Sequence, residues 1–502
     1  MQQKIADELL STLQNQFHMQ SFREGQLEAL MTLMTKNRLL CIQPTGYGKS
    51  LLYQLPSILL DGITLVISPL LALMRDQLQQ LKNRFHIPAA SMNTDQTPEE
   101  NRNAREAARR GKIKILFIAP EQLNFVDRFE FILSLPIKLL VVDEAHCIST
   151  WGHDFRPSYR QITKLIKAII KKDADIKLLA LTATANKKTE EDIKNQFKIN
   201  RKTLTVHRES MERKNLRLSV IHTQGVESKL ATLTQLFTSL KGSGLIYCAT
   251  RENTENVAEY LNSQGIRAIA YHAGISIQSK LKIQNDFLDD RYPVIAATNA
   301  LGMGIDKPNL RYVIHYDFPG SITAYYQEVG RAGRDGQLAD GILIYDRSDR
   351  KIQRFFIESL PKPEDFEEII AEVDREEEGI NLTTLRHLTG MHSTKLSVIL
   401  SELVEQEFLN KIYIHGFQFY QKTKKKGSPD LSRFQNQYQV KLKDLDAMQY
   451  YAEQSHQCLM EFLRIALGDK KTSPCQQCSQ CAATSSQAAQ RFSWREAIQE
   501  TV

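Results

Sequence analysis

No stretch of this 502-residue chain carries about 18 consecutive apolar side chains, the minimum for a helix crossing a bilayer, so a membrane span is not expected. The opening segment MQQKIADELLSTLQNQF has a helical periodicity broken by polar residues and lacks the apolar core of a secretory signal. A large charge excess is missing too. Lysine and arginine number 65 against 58 acidic residues, a formal net charge of +7, which is compatible with a polyanionic partner without requiring one. Long low-complexity tracts are absent. Charged residues at 25% beside a 42% hydrophobic set are ordinary for a globular protein. The expectation is a cytoplasmic protein of about three to four domains.

Cysteine is sparse, seven in all, and falls into two groups. Cys41, Cys147 and Cys248 stand alone in or beside apolar runs, where reduced buried thiols are expected. Cys458, Cys475, Cys478 and Cys481 form a C-x16-C-x2-C-x2-C cluster near the end of the chain. In a cytoplasmic protein such clustering favours a metal over disulfides.

From about residue 37 to 350, short apolar runs alternate with amphipathic helical patterns. NRLLCIQ, ITLVISP, IKILFIAP, KLLVVDE and IKLLALTAT read as buried parallel strands, and the pattern restarts with SGLIYCAT, RAIAYHA, PVIAAT, RYVIHYD and DGILIYD. Two successive sets of βα units predict two doubly wound α/β lobes with a seam near residues 205–220. After about residue 360 the composition turns acidic, with Phe366, Ile369, Ile370 and Val373 at helical spacing. Leu382, Leu385 and Leu388 form a short apolar stripe ended by Gly390. Ser393 is placed to cap a further helix carrying Leu396, Ile399, Leu400 and Leu403. Alternation on both sides of His415-Gly416 predicts a hairpin. Three helices and a β-wing are the winged-helix pattern.

QPTGYGKS, Gln43 to Ser50, follows a strand and reads as a P-loop whose strict first glycine is replaced by Gln43. Gly46 and Gly48 allow a tight turn with amides facing phosphate, Lys49 reaches the β/γ-phosphates, and Ser50 ligates Mg²⁺. Asp143 and Glu144, ending the run LLVVDE, supply the rest. Asp143 holds Mg²⁺ through water, and Glu144 orients and deprotonates the attacking water. Two solvated surface acids are the bland alternative, and the buried strand before them argues against it. In YYQEVGRAGRDG, Arg331 and Arg334 are spaced so that both face a lobe interface from one turn of helix, where arginines act as fingers on transition-state charge. The second half has no GKS or acidic pair of its own, so a single ATP site between the lobes is expected.

With these residues in view, the chain resembles a RecQ-family DNA helicase of superfamily 2, in a short form without the C-terminal accessory helical domain. FREGQ (22–26), SPLLALMRDQ (68–77), FIAPEQL (117–123), DEAH (143–146), LTATA (181–185), IYCAT (246–250), ATNALGMGIDKP (297–308) and QEVGRAGRDG (327–336) match the family's motifs in order. The resemblance implies two RecA-like lobes and a nucleotide site using Arg23, Gln26, Thr45, Gly46, Gly48, Lys49, Ser50 and Asp306. Gln327 would join Arg331 and Arg334 in catalysis. Tryptophan is the rarest residue type, with two in the chain. One, Trp151, lies in CISTWGHDFRPSY, which is similar to the family's aromatic-rich loop. Trp151, Phe155 and Arg156, supported by His153 and Tyr159, would contact DNA and couple its binding to hydrolysis. The cysteine quartet matches a structural Zn²⁺ subdomain.

The chain departs from that family at its far end. Only 21 residues follow Cys481, too few for a winged helix there, whereas residues 363–425 are interposed before the zinc helices. The expected domains are a first lobe at 1–207, a second at 208–360, a winged-helix insertion at 361–428, a zinc subdomain at 429–484 and a tail at 485–502. The insertion is read either as a duplex-DNA grip, with Lys422, Lys424, Lys425 and Lys426 on phosphates, or as a protein-interaction module or spacer. The function implied is ATP-dependent 3′ to 5′ unwinding of DNA in recombination and repair. The protein would act as a monomer at a single-stranded tail and duplex junction, with single-strand-binding or recombination proteins as further partners. The rivals are a translocase that moves without separating strands and an ATP-gated DNA clamp.

Overall fold

The computed structural model describes residues 2–149, 159–198, 203–301, 307–414, 417–454, 457–470 and 472–483. Residues 1–349 with 447–502 form one compact unit, and Arg350–Asp446 form another.

The larger unit is built on two wholly parallel sheets. The first contains β1 (Arg38–Ile42), β2 (Ile63–Ile67), β3 (Ala89–Met92), β4 (Ile115–Ile118), β5 (Ile137–Val142), β6 (Lys177–Thr182) and β7 (Thr205–Arg208), in the order β3-β4-β2-β5-β6-β1-β7. The second contains β8 (Leu216–His222), β9 (Ser243–Tyr247), β10 (Ala268–Tyr271), β11 (Val294–Ala297), β12 (Leu310–His315) and β13 (Ala339–Tyr345), in the order β10-β11-β9-β12-β13-β8. Every residue of β1, β2, β4, β9 and β11 is buried. Helices cover both faces of such strands, which is why these runs are continuously apolar. Each fully buried Leu, Ile or Val among them contributes about 1.5–3 kcal/mol. Cys41, Cys147 and Cys248 are buried as expected, and burial pushes the Cys41 thiol up to about 12.

Two edge strands escaped the sequence pattern. β7 closes one side of the first sheet and β8 opens the second, so the seam near 205–220 consists of two short strands and a seven-residue connection, 209–215. Both are edge strands. The burial of β7 is only intermediate, which dilutes the apolar signal.

In the smaller unit, helix Pro363–Asp374 is followed by β14 (Ile380–Asn381), helices Leu382–Thr389 and Ser393–Glu405, and the hairpin β15 (Leu409–Ile414) and β16 (Phe417–Lys422). The antiparallel sheet is ordered β14-β16-β15. Phe366, Ile369, Leu385, Leu396, Ile399, Leu400 and Leu403 are fully buried in its core. Gly390 ends its helix in the left-handed region at φ 66°. Two expectations need correction. Ser393 is not the cap: His392 precedes the helix and its Nδ1 accepts from Thr394 N at 3.3 Å. Leu388 is 53% exposed, because the eight-residue helix ends before a third turn could bury it. The unit runs from Arg350 into helix Ser432–Glu453. The hairpin tip, His415-Gly416, lies outside the described residues. Among the described residues, no helix is long and apolar enough to cross a membrane.

Candidate active site

The loops that follow the C-terminal ends of β1, β5 and β6 meet in one place, as parallel sheets of this kind arrange their sites. Gln43–Ser50 leaves β1 with Gly46 at φ 86° and Gly48 at φ 80°. A Cβ on Gly48 would also stand 2.8 Å from Gln26 Nε2, so glycine is required there. Lys49 is half-buried, and its Nζ donates to the carbonyl oxygens of Gln43 (2.8 Å) and Pro44 (3.1 Å), closing the loop from within. Burial lowers its pKa, while the negative charges of Glu144 and Asp143 pull the other way. Gln26 binds the same loop. Its Nε2 donates to Tyr47 O (3.0 Å) and Gly48 O (3.3 Å), and its Oε1 accepts from Arg23 N (2.9 Å). Arg23 itself donates to Gly46 O. Ser50 sits directly before helix Leu51–Leu59.

Asp143 follows β5. Its amide donates to Ile67 O at 2.9 Å, and its carboxylate accepts from Ser68 Oγ (3.2 Å) and Glu144 N (3.0 Å). Burial pushes this carboxyl up to about 7, Glu144 adds to the rise, and Lys49 opposes it. Glu144 holds φ 48°, a left-handed backbone that is uncommon outside glycine and that clusters at functional sites. Its Oε2 lies 3.3 Å from His146 Nδ1, which is 3.1 Å from Thr182 Oγ1. The Thr182 hydroxyl donates its single proton to Thr184 O (3.0 Å). Nδ1 of His146 therefore donates to Thr182, and Glu144 Oε2 stands at ion-pair distance from the same nitrogen.

The second sheet contributes across from this. Gln327, on helix Ile322–Val329, donates through Nε2 to Thr184 Oγ1 at 3.0 Å. Arg331 and Arg334 do not project from one turn of helix, as their spacing predicts. The helix ends at Val329, and Gly333 (φ 63°) and Gly336 (φ 83°) wrap the following residues into a turn. From that turn the Arg334 stem lies on the P-loop: its Cγ would be 3.4 Å from a Cβ built on Gly46. Arg331 is 9% exposed, with a buried Nε that has no hydrogen-bond partner among the described residues. It lies against Tyr247, whose phenol burial pushes up to about 12 while Arg331 opposes the rise.

Trp151, His153, Phe155, Arg156 and Asp306 lie outside the described residues. Tyr159 begins helix Tyr159–Lys172. Thr45 contributes its carbonyl, which accepts from Arg213 at 3.5 Å. Arg213, Thr184 and His146 were not singled out from sequence as participants. Thr184 and His146 sat inside recognised motifs, but Arg213 had no signal beyond being a cation in the seam.

The four clustered cysteines place their sulfurs within 4.8 Å of one another. Cys458 precedes helix Leu459–Ala466, and Cys481 lies in helix Ser479–Ala483. Cys458 and Cys478 sulfurs are 3.8 Å apart. Thiolates about 2.3 Å from a zinc ion in a tetrahedron stand about 3.8 Å from each other, so the set fits that metal. Backbone amides point at the sulfurs as they would at thiolates. Cys458 Sγ accepts from Cys475 N (3.2 Å) and Glu461 N (3.4 Å), and Cys478 Sγ accepts from Leu459 N (3.3 Å).

Comparisons agree with this geometry. A family model described as DEAD/DEAH box helicase matches residues 23–193, and a helicase conserved C-terminal domain matches 228–336. The RecQ ATP-dependent DNA helicase of Haemophilus influenzae is 40% identical over 357 residues, covering 71% of this chain and 56% of that protein. RecS of Bacillus subtilis, described as a probable ATP-dependent DNA helicase, is 38% identical over 372 residues, covering 74% of this chain and 73% of RecS. The structure of the Mycobacterium smegmatis helicase Lhr, bound to ssDNA and AMP-PNP, shares the fold at a TM-score of 0.55 and 19% identity, over 84% of this chain and 60% of Lhr. The chain thus spans little more than half of the H. influenzae protein, but nearly three quarters of RecS. With both helicase models matched in order and relatives near 40% identity along some 70% of its length, the chain belongs to the RecQ family of ATP-dependent DNA helicases.

Proposed function

We propose that the chain hydrolyses ATP to unwind duplex DNA, moving 3′ to 5′ along one strand, in recombination and repair. The observation that carries this reading is Arg334 lying on Gly46, which brings the finger turn of one lobe onto the phosphate loop of the other. Lys49 and the loop amides bind the β- and γ-phosphates, and Gln26 with Arg23 reads the base. Ser50 and Asp143 would hold Mg²⁺, which when bound neutralises phosphate charge. Glu144, oriented by His146, takes the proton of the attacking water. Arg331 and Arg334 stabilise the charge that develops on the γ-phosphoryl oxygens, with Gln327 linking them to the first lobe.

Trp151, Phe155 and Arg156, with His153 and Tyr159, are assigned to DNA; their place in the chain, directly after the hydrolytic carboxylates, supports that role. Cys458, Cys475, Cys478 and Cys481 would hold Zn²⁺, which when bound fixes the local fold. The smaller unit has the element order of a winged helix, and that supports the name. One observation favours a protein-contact or spacer role for its helix Ser393–Glu405 over reading the major groove. Lys395, the clear cation of that helix, pairs with Asp365 at 2.7 Å, and Lys422 pairs with Asp374 at 2.6 Å.

Fluorescence unwinding of 3′-tailed, 5′-tailed and blunt duplexes tests the proposal. Opening of the 3′-tailed duplex alone is expected, and it should persist when residues 363–425 are deleted if the insertion is a spacer. ATP hydrolysis without opening of any substrate would sink strand separation and leave a translocase.

A further inference from the structure

The connection between the two sheets, residues 209–215, is held along its length. Met211 N donates to both carboxylate oxygens of Asp469 (3.2 and 3.0 Å), and Met211 O accepts from Tyr326 OH at 2.6 Å. Just beyond this grip stands Arg213, which is 7% exposed. Its Nη1 donates to Gly330 O (2.9 Å) and reaches Thr45 O (3.5 Å), while Nη2 donates to Ala332 O (2.8 Å) and Gly333 O (3.3 Å). Asn215 Nδ2 adds bonds to Gly333 O (2.7 Å) and Gln337 O (2.8 Å). The carbonyls of Gly330, Ala332 and Gly333 lie in the turn past the end of the helix at Val329, where no further helical turn follows to bind them. One guanidinium collects these three and a fourth from the P-loop.

A buried cation is costly unless its partners return that cost. Among the described residues Arg213 forms no ion pair with a carboxylate; its hydrogen bonds run to backbone oxygens of the finger turn and the phosphate loop. We infer that Arg213 is a positioning residue for ATP hydrolysis, holding the turn that carries Arg331 and Arg334 in register with Gly46. The inference rests on the ATPase reading of the site. Both terminal nitrogens of Arg213 are committed to the two loops, so its proposed part is to hold them and not to bind phosphate. Lysine is no substitute, because a single ammonium cannot span carbonyls that a planar fork spans.

The test compares Arg213→Gln, Arg213→Lys and Arg334→Ala, with the Arg213→Gln/Arg334→Ala double variant, in the full chain. Misplacing the finger by about 1 Å should lower kcat of DNA-stimulated hydrolysis on the order of 10²-fold in Arg213→Gln. Affinity for a fluorescent ADP, which lacks the γ-phosphate, should stay within about threefold, and Arg213→Lys should not restore kcat. Once Arg334 is already alanine, Arg213→Gln should add less than about threefold, because both act through one group. Equal losses in the two backgrounds would overturn the inference. Hydrogen exchange at amides 330–336 should speed up in Arg213→Gln, and unchanged exchange would likewise overturn it. This arm needs no turnover, so wild-type protein lacking DNA-stimulated hydrolysis would remove the functional reading while exchange still decides what Arg213 holds. If Arg213→Gln does not fold, Asn215→Ala, which takes donors from Gly333 and Gln337, goes through the same comparisons.

Discussion

Gln327 of the second lobe donates to Thr184 of the first across 3.0 Å, and that bond is the end of a chain that begins at Glu144. Thr184 N donates back to Thr182 Oγ1 (3.2 Å), Thr182 accepts from His146 Nδ1, and the same nitrogen lies 3.3 Å from Glu144 Oε2. Glu144 is thereby linked, through one charge contact and the hydrogen bonds that follow it, to the helix that leads into Arg331 and Arg334. Motion between the lobes would break the chain where it crosses from one lobe to the other, at the amide-to-hydroxyl bond.

This link should be measurable as a coupling. A typical hydrogen bond contributes about 1 kcal/mol, or about fivefold in rate. Gln327→Ala and Thr184→Val are each expected to lower DNA-stimulated kcat by at least that factor. The double variant should be little worse than either single one. Multiplying effects in a full kinetic cycle would show that the two side chains act independently.

Glu144→Gln keeps the size of the side chain and removes the base. Hydrolysis should fall about 10²–10⁴-fold while nucleotide binding is retained, as expected for loss of general base catalysis. Hydrolysis that survives the change would take the base assignment away from Glu144. His146→Ala, which frees the carboxylate from its orienting proton, is expected to give a smaller loss of the same kind.

These relationships mark how far the sequence could be read. Strands such as LLVV and the P-loop were legible because burial on both faces forces continuous apolar runs, and phosphate chemistry forces glycine, lysine and serine into a fixed spacing. β7 and β8 were not, because one is half-buried and both sit at sheet edges. The arginine turn was misread as helix because a spacing of three is shared by helices and glycine turns. Only the positive φ of Gly333 and Gly336 decides between them. Arg213 was illegible for a different reason. Its partners are backbone carbonyls, which every residue type supplies, so no pattern of side chains announces them.

The cysteine site predicts a metal dependence that can be checked without an activity assay. Purified protein is expected to hold about one zinc per chain, and Cys478→Ser should lose it. Cys478 is fully buried and its sulfur accepts two amides, so that loss should loosen residues 457–483 first. Asp469 lies in this segment and grips Met211, so faster proteolysis there should be followed by faster exchange in the 209–215 connection. Metal-free protein with unchanged proteolysis would show that the cysteines serve no structural ion.

A buried charge cluster in the second lobe gives a pH-dependent test of stability. Lys229, 3% exposed, donates to Asp349 and to Tyr316 O (2.9 Å) and lies 3.7 Å from Asp317. Burial pushes Asp349 up to about 6, with Lys229 pulling it down. An unfolded aspartate titrates near about 3.9, so the folded form keeps its proton to higher pH. This group therefore costs stability progressively as pH rises through that window, and the full cost is present above about 6. Lys229→Met removes that cation while both carboxylates stay buried, which moves the upper end of the window higher and enlarges the cost. A loss on the order of 3–5 kcal/mol is expected at about pH 8. At about pH 5 Asp349 is protonated in the variant, and the loss should be markedly smaller. Urea unfolding of wild type and variant at both pH values measures the two gaps. A gap that does not shrink at the lower pH would mean that Lys229 acts through its contact with the Tyr316 ring and not through the carboxylates.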